Sequence, residues 1–170
     1  MNYHNILVDD MRNGEGLRVT VFLSGCDHHC KECQNPQTWD PNSGIKFTEE
    51  TIDEIRGYLS REYMQGITLS GGDPLYKDNR NDVENLIDII KEEFPDKDIW
   101  IYTGYTYEEI CRDSNMLKIV NKCDVLVDGP FIYNLADVKY NWAGSTNQKV
   151  IDINKTKKNK NVTLYSYYKK

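Results

Sequence analysis

Leu17-Arg18-Val19-Thr20-Val21-Phe22-Leu23-Ser24-Gly25-Cys26-Asp27-His28-His29-Cys30-Lys31-Glu32-Cys33 is the stretch on which the fold turns. Its first seven residues are rich in β-branched and aromatic side chains. They follow Gly14 and Gly16 and stop at Ser24-Gly25, the pattern of a strand. Its last eight carry three cysteines. From there to Gly44 the chain holds Pro36, Pro41 and several asparagines, too polar and too broken for a regular element. A strand therefore hands over directly to a cysteine loop.

The pattern repeats downstream. Thr48 is a candidate N-cap, and Ile52, Ile55, Tyr58 and Leu59 recur on one helical face. Gly66 to Ser70 reads as a short strand. Asn81 and Glu84 resemble a capping box ahead of the apolar series Val83, Leu86, Ile87, Ile90 and Phe94, which Pro95 ends. Ile99 to Tyr102 is the next strand, then a helix or pair of helical turns from Tyr107 to Lys122, then Val125 to Val127 as a strand. Strands alternating with helices imply βα units and a mostly parallel sheet, with ligands beyond the carboxyl ends of the strands. Gly25-Cys26, Gly71-Gly72-Asp73, Thr103-Gly104 and Asp128-Gly129 fall there. Lys155 to Lys160 reads as a basic turn or loop, and Val162 to Tyr168 as a short last strand or a surface-docked end.

The 170 residues fit one domain, residues 1–170, with the tail from about 155 unassigned. The net charge of −6 argues against a sequence-blind nucleic-acid binder. The amino terminus lacks a basic start followed by an apolar run, and no apolar stretch reaches the ~20 residues that span a bilayer. A cytoplasmic protein is expected. Five cysteines, three within eight residues, suggest metal ligands rather than a disulfide framework. Cys111, in a helix, and Cys123, before a strand, read as ordinary small apolar residues.

Three thiolates on one loop can cap three irons of a four-iron cluster, leaving the fourth open to a small molecule. Structural zinc with His28 or His29 as fourth ligand, and unligated core cysteines, are the competing readings. Ser70-Gly71-Gly72-Asp73-Pro74 follows a strand. It is either a plain turn or a place where backbone comes close to a ligand, with Asp73 accepting from an ammonium group.

Cys26-x3-Cys30-x2-Cys33 together with Gly71-Gly72-Asp73-Pro74 resembles the radical S-adenosylmethionine superfamily, with Asp where Glu is commoner. Asn13-Gly14-x-Gly16-x-Arg18, Cys33-x-Asn35, Thr38-Trp39, Val127-Asp128-Gly129-Pro130-Phe131 and Gly144-Ser145-Thr146-Asn147-Gln148 narrow the likeness. They are similar to the activases of anaerobic ribonucleoside-triphosphate reductases, from about residue 2 to 152. Glu32 stands where an aromatic residue is common, and Ala143 where Arg is frequent.

The resemblance implies an α/β fold, an incomplete (open) TIM-like βα barrel with mostly parallel strands. It implies a 4Fe-4S cluster on Cys26, Cys30 and Cys33, and S-adenosyl-L-methionine held by Glu32, Cys33, Gln34, Ser70, Gly71, Gly72, Asp73 and Thr103. One electron, from a donor such as flavodoxin or ferredoxin, would split the cofactor into methionine and a 5′-deoxyadenosyl radical. That radical would take a hydrogen from a glycine of the partner reductase. Another glycyl-radical activase, a small radical synthase and a zinc-binding module are the alternatives. Weaker candidates are Tyr102 and Gly104 at the ligand or in a plain strand-terminal turn, Asp128 at a ribose hydroxyl or capping a turn, and Asn147 and Gln148 at the ligand or the glycine loop of the partner reductase. Trp39 and Trp142 would lie over the cluster or in plain packing. His28 and His29 would face solvent or backbone, or else tune the cluster.

Overall fold

The computed structural model describes residues 1–166. At its centre is a sheet of seven strands in the order β3-β1-β2-β4-β5-β6-β7. These are β1 Asn2–Asp10, β2 Arg18–Leu23, β3 Ile45–Lys46, β4 Gly66–Gly71, β5 Asp98–Tyr102, β6 Val125–Asp128 and β7 Lys149–Asp152. The middle four, β2, β4, β5 and β6, are parallel neighbours, as the alternation of elements predicts. Strands β1, β3 and β7, which local patterns do not announce, flank that block antiparallel. The result is an open, mixed α/β sheet with two ends.

The missed strands have physical reasons. Strand β1 is half-buried and its register with β2 shifts twice, between Tyr3 and Asn5 and between Leu7 and Asp10, which breaks any period-two pattern. Strands β3 and β7 span two and four residues.

Helix α1, Glu49–Leu59, begins where expected: the Thr48 N–H donates to Thr51 Oγ1 at 3.1 Å. Helix α2, Arg80–Glu93, buries Val83, Leu86, Ile87 and Ile90 and stops before Pro95. Its start corrects the capping-box reading. Asn81 lies inside the helix, and Glu84 pairs with Lys118 and Lys122, each at 2.7 Å. The preceding Asn79 turns its Nδ2 to Ser24 O at 2.6 Å, so the helix start is tied to the end of β2 rather than to itself. The helical pair after β5 is α3, Tyr107–Arg112, and α4, Ser114–Val120, split at Asp113, whose carboxylate accepts from the N–H groups of Asn115 and Met116. Lys155 to Lys160 is not a loop: it lies in helix α5, Ile153–Asn159, and its C-cap, with Asp152 as N-cap. Leu164 makes a single bridge to Ile151, and Tyr167 and Tyr168 of the expected tail strand lie outside the described residues.

Alternation along the strands sorts two cores. Val19, Val21, Leu23, Ile67, Leu69, Ile99, Ile101, Leu126 and Ile151 meet the helices on one face. On the other, Trp100, Val125, Val127 and Val150 pack with Ala143, Trp142 and Tyr165. Arg18 is buried at the N-terminal end of β2, away from the cysteines. It donates to Thr68 Oγ1, Ile67 O and Asp98 and lies over the Trp100 ring, so its charge is paired. No helix among the described residues is long and apolar enough to cross a membrane.

Candidate active site

All four parallel strands point their carboxyl ends at one cleft of about 530 Å³. Cys26, Cys30 and Cys33 line it beyond β2; Ser70, Gly71 and Gly72 line it at the end of β4. Tyr102, Thr103 and Gly104 come from the end of β5, and Gly129 follows β6.

The cysteine loop is pinned at its two ends. Gly25 N donates to Thr38 O at 2.7 Å and Cys26 N to Trp39 O at 3.1 Å, so residues 26–39 leave and rejoin the sheet at one place. The glycine loop is laced to the same point: Gly72 N donates to Leu23 O at 2.8 Å and Asp73 N to Gly25 O at 2.7 Å. This is why glycine is required there. A Cβ on Gly72 would lie 2.5 Å from Gly25 O and 2.9 Å from Thr38 O, and Gly71 has φ +101°.

The thiols suit soft-metal binding. Burial pushes the Cys26 thiol up to about 11 and the Cys30 thiol in the same direction, so taking up metal expels protons. The Asn35 N–H donates to Cys33 Sγ at 3.4 Å, the kind of hydrogen bond to sulfur that tunes a cluster. Among the described residues, no three His, Cys, Asp or Glu side chains converge as on a single metal ion. A cluster gives each thiolate its own iron and needs no such convergence. Both histidines weighed as zinc ligands are engaged elsewhere. His28 Nε2 lies 2.8 Å from Asp73 Oδ2, and the His29 ring rests on Trp39 with centroids 4.6 Å apart. The donor set and the shared cleft therefore fit a cluster held by three thiolates.

Other predicted residues fall as follows. Gln34 lines the cleft, while Glu32 is exposed outside it. Asp73 is 1% exposed and not part of the cleft wall. Its Oδ2 accepts from Thr103 Oγ1 at 2.9 Å and Gly104 N at 3.0 Å, and its Oδ1 from Leu75 N at 2.8 Å. The Asp73 hydrogen bond raises the His28 pKa from its ordinary value against the opposing effect of burial. Asp128 caps: it accepts from Tyr107 N and Lys149 N, joining α3 and β7 to β6, and burial raises its pKa. Gln148 lines the cleft, with Oε1 bound by the N–H groups of Gly144 and Ser145. Asn147 Nδ2 donates to Pro130 O at 2.8 Å, outside the wall. Trp39 and Trp142 both line the cleft, and Trp142 also packs edge-on against Trp100. Tyr102 donates its hydroxyl to Trp142 O at 2.8 Å. Cys123 is buried as expected, but Cys111 is exposed.

Sequence reasoning missed Arg12, Phe22 and Tyr140 in the cleft wall. Phe22 had a signal, since it sits on the same face of β2 as Arg18 and Thr20. Arg12 and Tyr140 lie on long connections whose return to the cleft is set by tertiary structure.

Comparison with known proteins agrees with this geometry. The family model described as a 4Fe-4S single cluster domain matches residues 12–151. The anaerobic ribonucleoside-triphosphate reductase-activating protein of Enterobacteria phage T4 is 46% identical over 150 residues, spanning 88% of this chain and 93% of that protein. The proteins of the same name from Vibrio cholerae serotype O1 and Escherichia coli K12 are each 45% identical over 152 residues, spanning 88% of this chain and 97% of theirs. With its cysteine loop, its glycine loop and this likeness over nearly its whole length, the chain belongs to the family of anaerobic ribonucleoside-triphosphate reductase-activating proteins.

Proposed function

We propose that this protein reductively cleaves S-adenosyl-L-methionine at a 4Fe-4S cluster on Cys26, Cys30 and Cys33 and so installs a glycyl radical on an anaerobic ribonucleoside-triphosphate reductase. The observation that carries the reading is the single cleft onto which the three cysteines, the glycine loop and the end of β5 all open. When bound, the cluster would supply the electron and the open iron at which the cofactor is split. The protein's own part is binding, orientation and exclusion of water. Gln34, Ser70, Gly71, Gly72 and Thr103 line the space for the cofactor. Its ammonium group needs acceptors, and the backbone carbonyls of the glycine loop would supply them. Trp39, Phe131, Tyr140 and Trp142 give the cleft aromatic walls that exclude water.

The strand order β2-β4-β5-β6 is that of consecutive βα units, and we read the sheet as an incomplete TIM-like barrel. Its open side admits a segment of a protein substrate. Electrons would come from a small carrier such as flavodoxin or ferredoxin, and the setting would be the cytoplasm.

Anaerobic reconstitution with iron and sulfide, reduction, and addition of the cofactor should yield 5′-deoxyadenosine. Adding the reductase should yield a glycyl radical by electron spin resonance. Cys26→Ala, Cys30→Ala and Cys33→Ala should each abolish cleavage, and Cys111→Ala should not. Cleavage without a radical on the reductase would point to a different radical enzyme. A protein with full iron and sulfide that never cleaves the cofactor would sink the reading.

A further inference from the structure

We infer that Asp73 acts through His28 as a positioning couple that seats the cysteine loop, and does not itself bind the amino group of the cofactor. The inference rests on the cysteine loop being the cluster's seat. Asp73 belongs to the glycine loop after β4, His28 to the cysteine loop after β2, and Thr103 and Gly104 to the turn after β5. One carboxylate thus bolts together the ends of three adjacent strands. Oδ2 takes His28 Nε2 at 2.8 Å, Thr103 Oγ1 at 2.9 Å and Gly104 N at 3.0 Å. Oδ1 takes Leu75 N at 2.8 Å. Three of the four donors crowd onto Oδ2 and saturate it, and Oδ1 is turned to the backbone of its own loop. With 1% of the residue exposed and no part of it in the cleft wall, the carboxylate offers no open approach to an incoming ammonium.

The surroundings are shaped to hold the imidazole where it is. The Tyr105 ring meets His28 edge-on, with centroids 4.6 Å apart. A Cβ on Gly104 would lie 2.4 Å from His28 Cδ2, so the β5 turn is bare at the point where the ring lies against it. His28 sits between Cys26 and Cys30, and the direction of its ring fixes the path of the backbone joining them. Aspartate, one methylene shorter than glutamate, keeps its carboxylate at the backbone N–H groups of Leu75 and Gly104 instead of extending into the cleft.

The test uses the full-length, anaerobically reconstituted protein as His28→Ala, His28→Gln, Asp73→Asn and the double variant His28→Ala/Asp73→Asn. Three quantities are read: iron and sulfide per chain, the electron spin resonance spectrum of the reduced cluster without cofactor, and the dissociation constant for S-adenosyl-L-methionine. A positioning couple predicts that His28→Ala and Asp73→Asn each alter the cofactor-free spectrum or lower iron content. Each should weaken cofactor binding by roughly 10–100-fold, the range for partners that orient metal ligands. The double variant should be no worse than the worse single, and His28→Gln, which keeps an N–H donor, should recover most of the loss.

A direct amino-group contact predicts the opposite: Asp73→Asn weakens binding with the cofactor-free spectrum unchanged, and His28→Ala is silent. That result, or strictly additive losses in the double variant, overturns the inference. If Asp73→Asn does not fold by circular dichroism, the His28 pair decides alone, because a folded and silent His28→Ala overturns the proposal and a folded, spectrally altered one rescued by Gln supports it. Failure of the wild type to assemble a cluster or cleave the cofactor would instead count against the proposed function.

Discussion

Two non-glycine residues of the cysteine loop are left-handed: His29, with φ 45°, directly before Cys30, and Glu32, with φ 57°, directly before Cys33. A residue with a Cβ pays about 1–2 kcal/mol for that conformation, which shows how tightly the path between the thiols is prescribed. Glu32→Gly should therefore keep or raise the melting temperature and load iron normally. Glu32→Val, β-branched, should lose both, measured by thermal denaturation and iron content. Equal behaviour of the two variants would remove the argument. Asp10, the last residue of β1, shows the same care. Burial pushes its carboxyl up, but hydrogen bonds from Asn13 Nδ2, Arg12 N and Thr20 Oγ1 outweigh it and leave the pKa below its ordinary value. A depressed folded pKa adds stability that is present above the unfolded pKa and lost as pH falls through the folded one. Asp10→Asn should thus cost roughly 1–3 kcal/mol at neutral pH, and the gap to wild type in denaturant titrations should narrow below about pH 4. A gap that widens in acid would contradict this.

Among elements, the link that matters is between β2 and β4, since it seats the cysteine loop on the glycine loop. Gly72 and Gly57 separate two meanings of glycine. Gly72 abuts Gly25 O and Thr38 O, whereas a Cβ on Gly57, in the last turn of α1, would meet nothing within 4 Å. Gly72→Ala should destabilise by about 1–3 kcal/mol and lower iron loading. Gly57→Ala should stabilise by roughly 0.5–1 kcal/mol and leave loading unchanged. Chemical denaturation and iron analysis of the pair check both signs. The elements read correctly in advance are those with local signals: Thr48 before α1, the apolar face of α2, Pro95 after it. Those misread answer to distant partners. Asn79 turns to Ser24, and the lysine-rich α5 buries only Ile153 and Thr156. Its N-cap, Asp152, which accepts from Lys155 N, was a legible cue that the charge run obscured.

Across the whole molecule, the sheet is covered unequally. Helices cover one face; on the other, a small aromatic cluster shields Trp100, and its ends come from Trp142 and Tyr165. Tyr165 lies edge-on to Trp100 at 5.1 Å and to Trp142 at 5.9 Å, so the tail clasps the face that also carries the cleft. Tyr165→Ala should cost roughly 2–4 kcal/mol by denaturant unfolding. A loss under about 0.5 kcal/mol would mean that the tail adds nothing to that core.

The amino-acid sequence by itself determined the parallel βα block and the three thiols beyond its first strand. Both are written in local patterns, the period of apolar residues and the spacing of cysteines on one loop. It also placed Ser70, Gly71, Gly72 and Thr103 at the cleft, because ligand sites follow strand ends, whereas Gln34 came from the family resemblance alone. Only the tertiary structure decided that the sheet is mixed, since β1, β3 and β7 form by pairing with distant strands. It also decided that Asp73 faces inward. Four donors from three separate loops meet its carboxylate, and no spacing along the chain records where such groups converge.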